Sequence, residues 1–184
     1  FDYLLSDYLQ DAAIVELAGL VHVEAAWDSA NPVGESKWLA KALANFGKPY
    51  SIVAAGNLLK SDFPDLLAAH REVSDRVVGV RQILNYHDDP KYTFTDNPEI
   101  IFDKTWRKNF AHLGDQHMIF DLQIFPDQST GVAELARKFP QTKMVINHFI
   151  MPLNWDRDGI ADWKAELAKL AKHENISIKL SYKL

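Results

Sequence analysis

The sequence predicts an α/β fold. Helix-like and strand-like stretches alternate along the whole chain, and successive strand-like stretches begin roughly 25 to 40 residues apart. This distance suits a helix that crosses from one parallel strand to the next. Polar and apolar residues also alternate within the strands, which indicates that the two faces of the sheet have different environments.

Composition indicates one globular domain with a small-molecule partner. The chain has 184 residues, 20 Lys and Arg against 25 Asp and Glu, a formal net charge of -5, and no cysteine. A chain of this length buries a core without disulfides, and the lack of cysteine excludes Cys-ligated zinc fingers and Cys nucleophiles. The acidic balance, with no run of Lys or Arg, argues against nucleic-acid binding.

No apolar run approaches the roughly 18 residues that a membrane-spanning helix needs. The first residues, Phe1-Asp2-Tyr3-Leu4-Leu5, have no basic segment before an apolar run, as a signal peptide would. We therefore expect no membrane partner and a cytoplasmic location.

The first half of the chain predicts three helices and three strands. Helical spacing of apolar residues predicts a helix near residues 2–18, and alternation predicts a strand over 20–25. A helix over 35–46 and a strand over 50–58 follow. Ser61 and Asp62 suit an N-cap and a first-turn acid, so a helix begins there, and the third strand covers 77–84.

The second half repeats the pattern after a long polar loop that contains His87, Asp88 and Asp89. This loop either covers a site or is a solvated acidic turn. The remaining elements are predicted as helix 103–113, strand 118–124 ended by Pro126, helix 128–139, strand 143–149, helix 158–172 and strand 176–182.

Two architectures fit this order, an open doubly wound sheet and a closed eight-stranded barrel. Strands in a doubly wound sheet are covered on both faces and are nearly continuous apolar runs. Here Asp121 and Gln123 alternate with Phe120, Leu122 and Ile124. The alternation favours a (β/α)8 TIM barrel, whose outer face packs on helices and whose inner mouth holds polar groups.

Only about six strands are predicted, whereas a complete barrel needs about 250 residues. We therefore predict an incomplete barrel, one domain over residues 1–184 that lacks the first and last strands. Its two edges would leave backbone groups unpaired, which favours aggregation. We expect that the missing strands exist in the natural protein, or that another chain, as in a homo-oligomer, covers the edges.

Ionisable and polar residues late in the predicted strands form the candidate site, because the carboxyl ends of parallel strands meet at one mouth. We assign catalysis to His148 and Asp121. The expected substrate-binding residues are Arg81, His22, Glu24, Gln82 and Lys179. Imidazole and carboxylate groups bind metals or move protons, and cations receive an anionic substrate.

Structural roles stay open for these residues. A strand-end histidine is often only hydrogen-bonded within the fold, and Asp121 would be explained by an ion pair with Arg81. Trp27 and Trp38 line a pocket or pack under a loop. The other histidines are predicted as surface or capping residues: His70, His112, His117 and His173. The absence of GxGxxG, GxxxxGK[ST], GxSxG and HExxH weakens nucleotide-binding, serine-hydrolase and metalloprotease hypotheses.

Five segments in order carry a family resemblance: His22-Val23-Glu24-Ala25-Ala26-Trp27, Gly79-Val80-Arg81-Gln82, Phe120-Asp121-Leu122-Gln123, Asn147-His148 before Pro152, and Lys179-Leu180-Ser181. With them the chain resembles, over nearly its whole length, the amidohydrolase-related proteins called predicted metal-dependent hydrolases of the TIM-barrel fold.

The resemblance implies a (β/α)8 barrel that hydrolyses small carbonyl compounds. Sugar-acid lactonases and pyrone dicarboxylate lactonase are among the relatives, and aromatic-acid decarboxylases form a neighbouring branch. A divalent metal, zinc or manganese, or residues in its place, would activate water against the ring carbonyl. By position, His148 would match the family's strand-end histidine, a ligand or carbonyl polariser, and Arg81 a contact to a substrate carboxylate.

The chain departs from the family pattern at several points. The HxH pair of an earlier strand and the acid of the last strand are absent, Phe149-Ile150 replaces the usual Leu-Gly, and Tyr182 stands where a glycine is expected. By the resemblance, the chain covers the second to seventh strands. Three functions therefore stay open: a lactone hydrolase, which we favour, a decarboxylase, and a binding module that has lost its metal ligands and holds no metal.

Overall fold

The computed structural model describes residues 3–181 and contains, within that range, six parallel strands in one curled sheet. They are β1 (Leu20–Val23), β2 (Tyr50–Ala55), β3 (Val77–Ile83), β4 (Ile119–Gln123), β5 (Met144–Ile146) and β6 (Ile176–Ile178). Each strand pairs with its neighbours in the sequence, in the order β1-β2-β3-β4-β5-β6. In a doubly wound sheet the order of the strands reverses at a switch point, whereas here the strands follow the order of the sequence throughout. The prediction of an α/β, incomplete TIM barrel is confirmed.

Within the same described range, helices lie between the strands and before the first one. They are α1 (Leu5–Asp11), α2 (Pro32–Ala42), α3 (Phe63–Val73), α4 (Lys104–Asp115), α5 (Ser129–Lys138) and α6 (Arg157–Leu170). The first helix is shorter than predicted, since a 3-10 turn over Ala12–Ile14 follows it. Ile14 is 94% exposed, so no core contact extends the helix. The predicted end of the sixth strand at residue 182 lies outside the described residues.

Side chains of the loops cap two helices. The second helix begins at Pro32, three residues before the predicted start at 35, and the fourth begins at Lys104, one residue after the predicted start at 103. Asn31 accepts a hydrogen bond from the Gly34 amide at the start of α2, and Asp103 accepts from the amides of Thr105 and Trp106 at the start of α4. The third helix begins at Phe63, so Asp62 and not the predicted Ser61 is the N-cap residue, and its side chain makes no capping bond. The caps at Asn31 and Asp103 satisfy backbone amides in the first turn of each of their helices.

The core lies between the outer face of the sheet and the helices. Even-numbered residues of the central strands face it: Ile52, Ala54, Val80, Phe120, Leu122, Met144 and Ile146. Trp106 and Phe110 of α4 stack at 5.3 Å, and Phe120 meets the Trp106 ring edge-on at 5.4 Å. Burial of these side chains leaves the odd-numbered residues of the same strands for the inner face.

The two faces of β1 are the reverse of those that the sequence predicts. Val23 pairs with Val53, and Val53 pairs with Gly79, which lies two residues before Arg81. Val21 and Val23 therefore share the inner face, and His22 faces the helices. Because side chains alternate with a period of two, a slip of one residue in reading a strand reverses both of its faces.

The prediction that His70 lies at the surface is wrong. His70, on α3, is completely buried. Its Nε2 donates to the Ala55 carbonyl at 3.1 Å, and its Nδ1 accepts from the Ser36 hydroxyl at 2.8 Å. The ring joins two helices to β2, and burial lowers its pKa despite the hydrogen bond to Ala55 and the nearby Glu35 charge.

No helix within residues 3–181 is both long enough and apolar enough to cross a lipid bilayer.

The lowered pKa of His70 predicts a dependence of stability on pH. The unfolded state binds a proton more readily, so the stabilisation is complete above the unfolded pKa of about 6.5 and declines as pH falls below it. In H70Q, glutamine retains a donor for Ala55 but cannot gain that proton. We expect the free energy of unfolding, from urea titrations at pH 7 and 5, to fall less in H70Q than in the wild type. The exposed His117 provides the control variant H117Q, and equal declines in wild type and H70Q would contradict the prediction.

Candidate active site

Asp121 lies at the centre of the inner face and is completely buried. The Asn147 amide donates to its Oδ1 at 2.6 Å, and the Lys179 ammonium donates to its Oδ2. Asn147 directly follows β5 and Lys179 directly follows β6. A buried carboxylate is tolerated when both of its oxygens are paired, and here the partners follow the ends of the next two strands.

Arg81 is the register neighbour of Asp121 on β3, but it pairs with another acid. Its Nε donates to Glu24 Oε1 at 2.7 Å, and its Nη2 donates to the Glu24 carbonyl. The suggested pair between Asp121 and Arg81 is therefore not formed, and each acid has its own cation.

Both ion pairs have the acid beneath the cation. The side chains of Asp121 and Glu24 are 1% and 9% exposed, whereas those of Lys179 and Arg81 are 31% and 17% exposed. The inner face therefore presents two positively charged groups. An ammonium and a planar guanidinium are the groups that bind carboxylates in proteins.

His22 is held away from this cluster by a helix residue that the sequence analysis did not select. Glu35, in the first turn of α2, accepts from His22 Nε2 at 3.0 Å and from the Ala25 amide at 2.9 Å. Burial raises the pKa of Glu35, but these hydrogen bonds and the charges of His22 and Arg81 outweigh it, so the pKa lies below its usual value. The sequence does contain a signal for Glu35, since it is an acid in the first turn of the helix that follows β1.

Gln82 also lies away from the cluster. Its side-chain oxygen accepts from the Trp106 indole and from the Leu58 amide, both at 3.1 Å. Adjacent residues of a strand point to opposite faces, so Gln82 faces α4 because Arg81 faces inward. Its contacts are those of a structural residue that joins β3 to the helix layer.

His148 lies at the mouth, directly after Asn147, and a hydrogen bond of 3.0 Å joins its Nδ1 to the Ser181 hydroxyl. It begins a left-handed turn in which four consecutive residues have positive φ: His148 (53°), Phe149 (52°), Ile150 (59°) and Met151 (45°). Such backbone costs roughly 1–2 kcal/mol per L-residue, and it is rarest for β-branched side chains. Surrounding contacts must hold the turn.

Residues of the loop after β3 lie in two environments, a cleft and the solvent. His87 lines a cleft of ≈ 380 Å³ between the loops that follow β3, β4 and β5 and helix α6, and its ring meets Phe125 edge-on at 6.2 Å. Asp88 and Asp89 are exposed. A second cleft, of ≈ 460 Å³, is lined by Glu24, Trp27 and Glu35.

A divalent metal does not fit the residues described here by themselves. Within residues 3–181, no group of three or more His, Asp or Glu side chains converges on a possible metal position. Both oxygens of Asp121 are occupied by Asn147 and Lys179, and Glu24 by Arg81 and the Ala26 amide. His148 alone does not make a zinc site, which needs three or four donors.

The Asp121–Lys179 pair predicts a measurable coupling. K179M leaves a buried carboxylate without its cation, so we expect it to lower the free energy of unfolding by about 2 to 3 kcal/mol, less than for a fully buried pair. The double variant D121N/K179M should recover most of the loss, because an amide needs no counter-charge. Urea denaturation measures both.

The matched control is K169M, which breaks the surface pair with Glu166 and should cost at most about 0.5 kcal/mol. A double variant as unstable as K179M would show that the pair is not the source of the loss.

Comparison with solved structures identifies the fold. An amidohydrolase from Burkholderia multivorans with bound zinc superimposes with a TM-score of 0.79 and 21% identity, covering 98% of this chain and 60% of that chain. A probable 2-pyrone-4,6-dicarboxylic acid hydrolase from Acinetobacter baumannii with citric acid bound gives a TM-score of 0.69 and 15% identity, covering 97% and 60%. At these identities the likeness concerns the fold alone.

Sequence comparison extends the likeness beyond the fold. The uncharacterized protein y4mH of Sinorhizobium fredii is 33% identical over 179 residues, which are 97% of this chain and 60% of that protein. The chain thus spans about three fifths of the length of these relatives. The sequence model of the family described as amidohydrolase matches residues 6–182. The chain therefore belongs to the amidohydrolase family.

Proposed function

We propose that the protein is a hydrolase of the amidohydrolase superfamily that opens a small, anionic, cyclic ester, such as a sugar-acid lactone or a carboxylated pyrone. The main support is the pair of cations on the inner face, each held over a buried acid. The family membership and the printed names of the solved relatives agree with this class of substrate.

The two cations suit the carboxylate of such a substrate. Arg81 uses Nε and Nη2 on Glu24, which fixes the plane of its guanidinium and leaves Nη1 to meet a ligand. Lys179 is fixed by Asp121 and is about one third exposed. A fixed cation loses less entropy when it binds a ligand than a free one, so the buried acids favour binding.

His148 is the residue we propose for proton transfer or carbonyl polarisation. It lies at the end of β5, where the catalytic groups of TIM barrels are found, and the next residue donates its amide to the Lys179 carbonyl. Imidazole is the usual general acid or base in proteins. We propose Asp121 as a positioning group for Lys179, because its oxygens are both engaged.

The zinc in the Burkholderia relative supports a divalent metal in the family, with zinc favoured over manganese. Since residues 3–181 do not form a metal site, a metal-dependent reaction requires donors from outside this range. A non-catalytic binding module is the second candidate, and the full pairing of Asp121 and Glu24 favours it.

An assay of the natural, full-length protein separates the two candidates. Sugar-acid lactones and 2-pyrone-4,6-dicarboxylate are supplied with and without added zinc or manganese, and ring opening is followed by acid release. Turnover of one of these esters is expected. Binding of the carboxylated compounds without turnover would instead support the binding module.

Substitution of Arg81 tests the role of the cations. R81K retains the charge over Glu24 but loses the planar guanidinium that donates two parallel hydrogen bonds. We therefore expect kcat/KM to fall about 10-fold, mainly through KM. The exposed Arg137 on α5 provides the control variant R137K, which should match the wild type. An R81K variant with unchanged KM would remove Arg81 from the proposed binding site.

A further inference from the structure

The left-handed turn after β5, residues 148–151, decides where His148 points. The Asn147 side chain bonds Asp121 and so lies on the inner face. In a chain that stayed extended, the next side chain would point to the opposite, helix-covered face. The positive φ of 53° at His148 ends this alternation, and the ring instead bonds Ser181, two residues beyond Lys179.

A turn of this hand does not persist in L-residues without outside support. Left-handed conformations are usually single residues, often glycine, whereas this turn contains Phe149 and the β-branched Ile150. Strained backbone is retained only where neighbouring groups hold it. The neighbours of the turn therefore determine the orientation of His148.

Phe149 is held through both of its backbone polar groups. Its amide donates to the Lys179 carbonyl at 3.3 Å, and its carbonyl accepts from the Trp163 indole at 2.7 Å. The Trp163 ring, on α6, also packs against the Phe149 ring at 6.4 Å. The adjacent Ile150 side chain is completely buried in the core. The indole bond is the shorter of the two and comes from a side chain, so it can be removed by substitution.

We propose that Trp163 is a positioning residue for His148. Its indole N–H holds the Phe149 carbonyl in the left-handed turn, and the turn directs the imidazole to Ser181 at the mouth of the barrel. Without this donor the turn relaxes towards ordinary backbone, and His148 loses its orientation. The consequence for catalysis depends on the proposed function, whereas the orientation of the ring does not.

The test compares W163F with W155F in the natural, full-length protein. W163F removes the donor and retains an aromatic ring, and Trp155 is 54% exposed on the loop before α6 and serves as the matched control. The readout is the imidazole nitrogen spectrum of His148, assigned with H148Q. We expect W163F to shift or broaden the His148 signals, and W155F to leave them unchanged.

A suppressor variant keeps the test decisive if W163F folds poorly. Glycine adopts positive φ without strain, so F149G removes the strain at the residue whose carbonyl the indole holds and should reduce the dependence of the turn on the indole. We expect F149G/W163F to restore the His148 signals of the wild type. Signals that are unchanged in W163F, or that F149G does not restore, would overturn the proposal and leave Trp163 as a packing residue.

Kinetics separate this proposal from the proposed function. If the protein hydrolyses a lactone, W163F should lower kcat about 10-fold or more with KM nearly unchanged, because a misplaced catalytic group costs rate rather than binding. If the wild-type protein shows no turnover and W163F still shifts the His148 signals, the hydrolase is rejected and the positioning role is supported. Unchanged His148 signals together with a normal kcat in W163F would overturn the positioning role and leave the hydrolase intact.

Discussion

The buried carboxylate of Asp121 is the constraint on which the rest of the site depends. A charge at that depth needs a partner on each oxygen, and Asn147 and Lys179 come from the ends of the next two strands. The pairing requires that β4, β5 and β6 lie side by side in the observed register. The same interaction therefore joins the fold to the site, since it fixes the strand ends and also holds an ammonium group at the inner face.

A second acid and cation repeat this arrangement on the same inner face, nearer to β1. Glu24 lies beneath Arg81, and Glu35 binds His22 and the Ala25 amide where the chain leaves β1. In both places an acid is buried and the cation is the more exposed member of the pair, although the chain as a whole has a net charge of -5.

The turn that contains His148 differs from these pairs, because its conformation is unfavourable by itself. Contacts from β6 and α6 hold it through the backbone of Phe149. The placement of the His148 side chain thus draws on packing energy from elsewhere in the fold. The chain has Ile150 where the family resemblance leads one to expect a glycine, and this increases the dependence of the turn on its neighbours.

The sequence by itself determined the α/β alternation, the parallel strands and the inward direction of Arg81, Asp121 and Lys179, because periods of two and 3.6 residues are local properties. The direction of Gln82 towards the helices follows from the same period of two residues. Tertiary structure alone decided that Lys179 and not Arg81 pairs with Asp121, that His70 is buried, and that His148 lies on a left-handed turn. These three features depend on register and packing between residues far apart in the chain, so the spacing of residues within one element does not predict them.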